Sequence, residues 1–289
     1  MLNFDQKAIK ENLTTLKFDG EKFWQIFTNP NFPEDDARSW VNEHFYLTIQ
    51  VSILYVLVIF GTKFFMRNRE PFQLTLPLNI WNFFLSSFSI LGTWKLSSDY
   101  FQTIANYGIV NSFCRNYNFT NGTTGFWAWL FVISKLIELV DTVFLVLRKR
   151  PLLFLHWYHH ILTMIYIFYS YPFAPGFNRW GIYMNYVVHS FMYSYYLIRS
   201  MKIKVPGFIA KLITTLQLIQ FIISVICIAY LAVIIHYQGY QCDFEPKVFS
   251  LAIFMDFTYL LLFINFFYQS YVKRGGKSKY QNKEGKKQK

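Results

Sequence analysis

Residues 208–235 read FIAKLITTLQLIQFIISVICIAYLAVII and carry one charge, Lys211. A helix crosses a bilayer with ~20 mostly apolar residues, so this stretch is long enough to span. Six further apolar stretches are of the same kind: about 45–66, 75–95, 125–147, 154–172, 180–199 and 247–271. The pair 154–172 and 180–199 is short and is interrupted by Pro172, Pro175 and Gly176. The expected fold class is therefore an all-α polytopic membrane protein with seven transmembrane helices. Composition agrees: 54% of the 289 residues are hydrophobic, 21% are aromatic and only 15% are charged. A soluble domain carries about 25% charged residues. The N-terminal stretch 1–44 is mixed and polar, with no apolar core of the secretory type, so no cleaved signal peptide is expected.

The net charge of +12 does not point to nucleic acid, because the basic residues sit between apolar blocks and in the tail. Lys63, Arg67 and Arg69 follow the first span; Arg148, Lys149 and Arg150 follow the third. Arg199, Lys202, Lys204 and Lys211 surround the turn between the fifth and sixth, and residues 272–289 form a basic tail. Positive charge marks the cytosolic side, which puts the tail in the cytosol and the N-terminus in the lumen. The sequons at Asn12, Asn118 and Asn121 then fall on the lumenal side as candidate glycosylation sites. So do Cys114 and Cys242, in an oxidising compartment where a disulfide persists. Cys227, inside the sixth span, reads as a small buried hydrophobe. Lys286 and Lys287, fourth and third from the end, form a dilysine pattern that predicts retrieval to the endoplasmic reticulum.

Polar groups at membrane depth are costly and face protein or a wet cavity. The third span holds Lys135, Glu138 and Asp141 at intervals of three, with Thr142, which reads as one polar face. The fourth begins His156-Trp-Tyr-His159-His160, placing three imidazoles on one side. The fifth aligns Asn185, His189, Met192, Tyr193 and Tyr196; the sixth repeats Thr214, Gln217 and Gln220. One polar residue per helix would be packing glue, and Lys135–Glu138 alone would be an internal ion pair. Four converging faces in the same half of the membrane predict a site.

Three histidines at this spacing resemble the boxes of membrane di-iron oxygenases, but those need more histidines than the six present here. A mononuclear metal site would leave the polar faces of the third and sixth spans unexplained. No cysteine lies near the site and no GxSxG elbow occurs, so imidazole is the remaining nucleophile; near neutral pH it is competent toward thioesters.

The ordered motifs KLIELVDT (135–142), HWYHH (156–160), HSFMYSYY (189–196) and TTLQLIQ (214–220) resemble those of ELO-type fatty acid elongases, and nematode members in particular. The run MNYVVHSFMYSYY is most similar to the subgroup acting on saturated, monounsaturated or C18 polyunsaturated chains. That resemblance implies the condensing step of fatty acid elongation in the endoplasmic reticulum. Long-chain acyl-CoA and malonyl-CoA would give CO2, CoA and a 3-oxoacyl-CoA two carbons longer, without cofactor or metal. It implies spans two to seven forming a six-helix barrel around an acyl tunnel, within a membrane domain covering 45–271. It also implies His159 as the acyl acceptor, with His189 beside it. His156, His160, Lys135, Glu138, Asp141, Asn185 and Gln217 are further catalytic candidates; Tyr193, Tyr196, Thr214, Gln220, Arg148, Lys149 and Lys204 are candidates for substrate binding. Expected partners are membrane lipid and the ketoacyl reductase, dehydratase and enoyl reductase of the cycle; a homodimer is open. The rival functions are a histidine-box metal oxygenase and a seven-helix lipid receptor or transporter.

Overall fold

A computed structural model describes residues 18–273, which contain helices and no strand. Asn12, Arg274, Lys286 and Lys287 lie outside the described residues, so the first sequon and the dilysine pattern have no structural counterpart here. The helices are α1 (Gly20–Thr28), α2 (Glu34–Glu43), α3 (Phe45–Phe65), α4 (Thr75–Cys114), α5 (Gly122–Ile137), α6 (Val140–Leu147), α7 (Phe154–Ser170), α8 (Asn178–Ser200), α9 (Gly207–Gln238) and α10 (Pro246–Phe267). Among the described residues, three stretches are helical, long and apolar enough to cross a membrane: Phe45–Asn68, Gly207–Gln238 and Pro246–Val272.

Each apolar stretch of the sequence is helical, with two differences of detail. The second continues far past residue 95, to Cys114, and is interrupted only at Gly108, whose φ of 82° is open to glycine. The third is broken: Glu138 and Leu139 form a turn, and the amides of Asp141 and Thr142 reach back to the carbonyls of Glu138 and Leu139. Between α7 and α8, Pro172 sits in a short 3-10 turn that ends at Ala174, in left-handed conformation. The polar N-terminal stretch supplies α1 and α2, whose buried residues Ile26, Trp40 and Val41 join the core around Trp129. Arg38 of α2 donates from Nε (2.9 Å) and Nη2 (2.6 Å) to the carbonyl of Pro172.

Packing follows a simple order. The most extensive contact is between α4 and α8; α8 also packs on α9, α9 on α10, α10 on α7, α7 on α5, and α5 on α4. Helix α3 packs on α6 and α7. Gly92 of α4 lies against the Tyr186 ring of α8, and a Cβ at this position would occupy the space of that ring.

One end of the assembly is heavily fastened. Cys114 and Cys242 form the disulfide expected from the sequence, joining the ends of α4 and the α9–α10 connection. Arg179 is fully buried and donates to Asp99 Oδ2 (2.9 Å), to the carbonyls of Ser112 (3.0 Å) and Arg115 (2.8 Å), and to that of Asn116. Trp180 Nε1 donates to Ser112 Oγ at 2.9 Å, and Asp243 accepts from the Asn116 amide at 2.9 Å. Asn118 and Asn121 are exposed in the adjoining α4–α5 connection.

Candidate active site

At the opposite end, a cavity of about 820 Å³ opens among α4, α6, α7, α8, α9 and α10. Helical spacing on α7 delivers all three imidazoles to it: His156, His159 and His160 line the cavity together. Helix α8 contributes Asn185, His189, Met192, Tyr193 and Tyr196, and α9 contributes Gln217 and Gln220, as the faces of the sequence predict. Arg148, Arg150, Arg199 and Lys211 stand on its walls.

The three charges of the third span do not share one role. Lys135 and Glu138 lie behind the cavity, paired at 2.7 Å. Lys135 Nζ also donates to Asn185 Oδ1 at 2.9 Å, and Ser134 Oγ to Glu138 Oε1 at 3.0 Å. Asn185 Nδ2 lies 3.3 Å from His189 Nε2, and Glu138 Oε2 lies 3.9 Å from His189 Nδ1. A chain of polar groups therefore ties Lys135–Glu138 through Asn185 to the His189 ring. Asp141, beyond the tightened turn at Glu138–Leu139, lines the cavity instead. There it accepts from Tyr193 at 2.8 Å and from Trp81 Nε1. Thr142 joins Tyr55 (2.6 Å) to His156 Nε2 (2.9 Å), which fixes that ring at the cavity edge.

His159 stands where two compartments meet. Besides the large cavity it lines a narrow arm of about 80 Å³, together with Asn185, Gln220 and Phe221. The arm runs between α7, α8, α9 and α10 as far as Phe177, Asn178 and Trp180 at the disulfide end. Tyr259 supports the junction: its hydroxyl donates to the His159 carbonyl at 3.0 Å and pairs with Thr163 at 2.8 Å, while its ring lies 4.9 Å from the imidazole. The arm also carries Ser224, whose hydroxyl donates to Asp256.

Not every candidate is brought to the cavity. Thr214 pairs with Tyr271 at 3.2 Å and is absent from the lining. Lys149 turns away, donating to the carbonyls of Arg67 (3.1 Å) and Arg69 (3.0 Å), and Lys204 lies in the exposed α8–α9 connection. Conversely, Trp81, Thr163, Ser224, Asp256 and Tyr259 line or hold the site and were not singled out by the motifs. Asp256 carried a signal, being the single acidic residue within α10.

Comparison with known proteins agrees with the motif resemblance. The ELO model, described as the GNS1/SUR4 family, matches residues 40–279. The chain is 62% identical to long chain fatty acid elongase 1 of Caenorhabditis elegans, over 96% of each chain. It is 44% identical to putative fatty acid elongase 3 of the same organism, over 83% of this chain and 75% of that one. It is 42% identical to very long chain fatty acid elongase 6 of Drosophila melanogaster, over 85% and 78%.

Proposed function

The chain belongs to the ELO family, whose relatives named above are fatty acid elongases, and from that premise we propose that it is the condensing enzyme of the elongation cycle. Long-chain acyl-CoA and malonyl-CoA are its substrates, and a 3-oxoacyl-CoA two carbons longer is the product. The observation that carries this reading is the position of His159 between a wide polar cavity and a narrow arm. The arm, lined by Phe131, Ile167, Phe177 and Phe221, suits part of a hydrocarbon chain; the wide cavity, with Arg148, Arg150, Arg199 and Lys211, suits the phosphates of CoA.

The reaction proceeds in two halves. The His159 imidazole attacks the thioester carbonyl, its ring proton passes to the departing thiolate, and free CoA leaves an acyl-imidazole. Malonyl-CoA then loses CO2, and the resulting enolate attacks the acyl carbonyl. Imidazole leaves and recovers its proton from solvent. Gln217, on the cavity wall, is the candidate donor to the enolate oxygen, while Asn185, held by Lys135, turns its Nδ2 to His189 Nε2 and orients that ring beside the reacting atoms. No step requires a metal or a redox cofactor.

The wider reading assigns seven spans, with α5 and α6 counted as one. The cyclic order of contacts α4–α8–α9–α10–α7–α5–α4 supports a six-helix barrel with α3 outside it. Residence in the endoplasmic reticulum, with a lumenal N-terminus and cytosolic tail, is supported by the charge distribution and by the disulfide at the end away from the basic turns.

The test is to incubate purified protein with acyl-CoA before malonyl-CoA is added. CoA should be released in an amount up to one equivalent per site, and the intact mass should rise by one acyl group located within 156–160. Active enzyme that gives neither burst nor adduct would assign histidine to general-base decarboxylation in a ternary complex.

A further inference from the structure

We propose that a groove between the end of α3 and the α6–α7 turn is a binding site for the phosphate of an anionic phospholipid. The groove is separate from the wide cavity and measures about 480 Å³. Four of its nine lining residues are cationic, Lys63, Arg67, Lys149 and Arg150, and none is acidic. Its chemistry therefore calls for an anion.

Depth and shape specify which anion. Helix α3 belongs to one of the stretches apolar enough to span, and Lys63 and Arg67 lie one turn apart at its end. That is headgroup level. Phe60 and Phe64 rise along the same side, 40% and 77% exposed, where they meet hydrocarbon. A free phosphate would use the cations and leave these rings idle; a phospholipid uses both. Basic pockets beside spanning helices bind anionic headgroups on this principle.

The groove is also built, and its cations are not simply scattered along a loop. Lys149 adopts a left-handed conformation (φ 52°), and its Nζ holds the carbonyls of Arg67 and Arg69. The Phe72 amide donates to the Leu147 carbonyl at 3.1 Å, tying the two connections together. Lys149 thus serves as the internal pin, and Lys63 and Arg67 are the headgroup contacts. Lys63 lies over the Phe60 ring at 5.9 Å, which keeps the ammonium beside the apolar wall. Arg150 lines both this groove and the wide cavity, so a lipid seated here lies next to the entry for substrate.

The test uses full-length protein in nanodiscs of phosphatidylcholine with and without phosphatidylserine, read by native mass spectrometry. Wild-type protein should retain phosphatidylserine in preference to phosphatidylcholine. The double variant Lys63→Gln/Arg67→Gln should lose that preference by more than about tenfold, as expected for two near-surface cations. The charge-preserving Lys63→Arg/Arg67→Lys should keep it, which separates lost binding from misfolding. Phe64→Ala should weaken lipid retention without affecting displacement by inorganic phosphate. Equal retention by wild type and the Gln variant would overturn the proposal. So would displacement of the lipid by CoA at concentrations that saturate the enzyme, since the groove would then belong to CoA.

Discussion

At the disulfide end, Arg179 is sealed among Asp99 and three backbone carbonyls, and Trp180 and Asp243 bind neighbouring loops. At the cavity end, Arg199 and Lys211 line an opening, and the helices are held apart by groups that face a void. Both ends are rich in polar side chains. At the first, the Arg179 guanidinium, the Trp180 indole and the Asp243 carboxylate are spent on other groups of the protein, so their worth appears as stability. At the second, imidazoles, hydroxyls and amides remain presented to a cavity, so their worth appears as chemistry. The contrast teaches that polar residues in a membrane helix divide by what they face.

This division can be broken by experiment. His159→Ala should lower condensation by about 10⁴-fold while leaving the unfolding temperature in detergent unchanged. Loss of fold instead would make His159 a core residue. Arg179→Met should do the opposite, destabilising by about 4 kcal/mol because Asp99 and three carbonyls lose their donor. The CoA burst per folded molecule should survive, measured in the fraction that remains monodisperse. Replacing Cys114 and Cys242 by serine should cost about 3 kcal/mol, with rates per folded molecule again preserved. A variant that kept its thermal stability would show that the hydrogen bonds alone fasten this end.

Two smaller effects sharpen the contrast within the cavity. Asp141→Asn keeps shape but weakens the bonds from Tyr193 and Trp81, and should reduce turnover about tenfold with no change in chain preference. Asp256→Asn, deeper in the arm, should change turnover little and alter relative rates among acyl chains by about threefold. Competition between two acyl-CoAs in one vessel reads this directly. The reverse result, with Asp141 controlling preference and Asp256 controlling rate, would invert the assignment of the two compartments.

The helices and most of the cavity were legible in the sequence because both follow from periodicity. Apolar length marks α9, and the i, i+3, i+4 spacing places His156, His159 and His160 together. Periodicity also misled. It put Lys135, Glu138 and Asp141 on one face, whereas only Asp141 lines the cavity; steps of three drift round a helix of 3.6 residues per turn, and the i→i+3 turn at Glu138–Leu139 lies between them. No proline or glycine marks that turn, and the partners on its two sides, Asn185 for Lys135 and Trp81 with Tyr193 for Asp141, are distant in sequence. The Arg179 cluster escaped notice for a related reason. Its acceptors are backbone carbonyls more than sixty residues away, and carbonyls have no sequence signature. The helices α1 and α2 lie in a polar stretch whose few apolar residues are enough to dock it on the core.

The narrow arm has one further consequence. On the proposed reading, new carbons would be joined at the carboxyl end of the chain, beside His159, with the methyl end in the arm that leads toward Trp180. The tail would then stay in place when the bond forms. An acyl chain is therefore measured once, on entry, and the two added carbons extend toward the mouth without being gauged. Discrimination among chains belongs to the loading step, so a misfit substrate should fail to release CoA at all instead of stalling as a loaded enzyme.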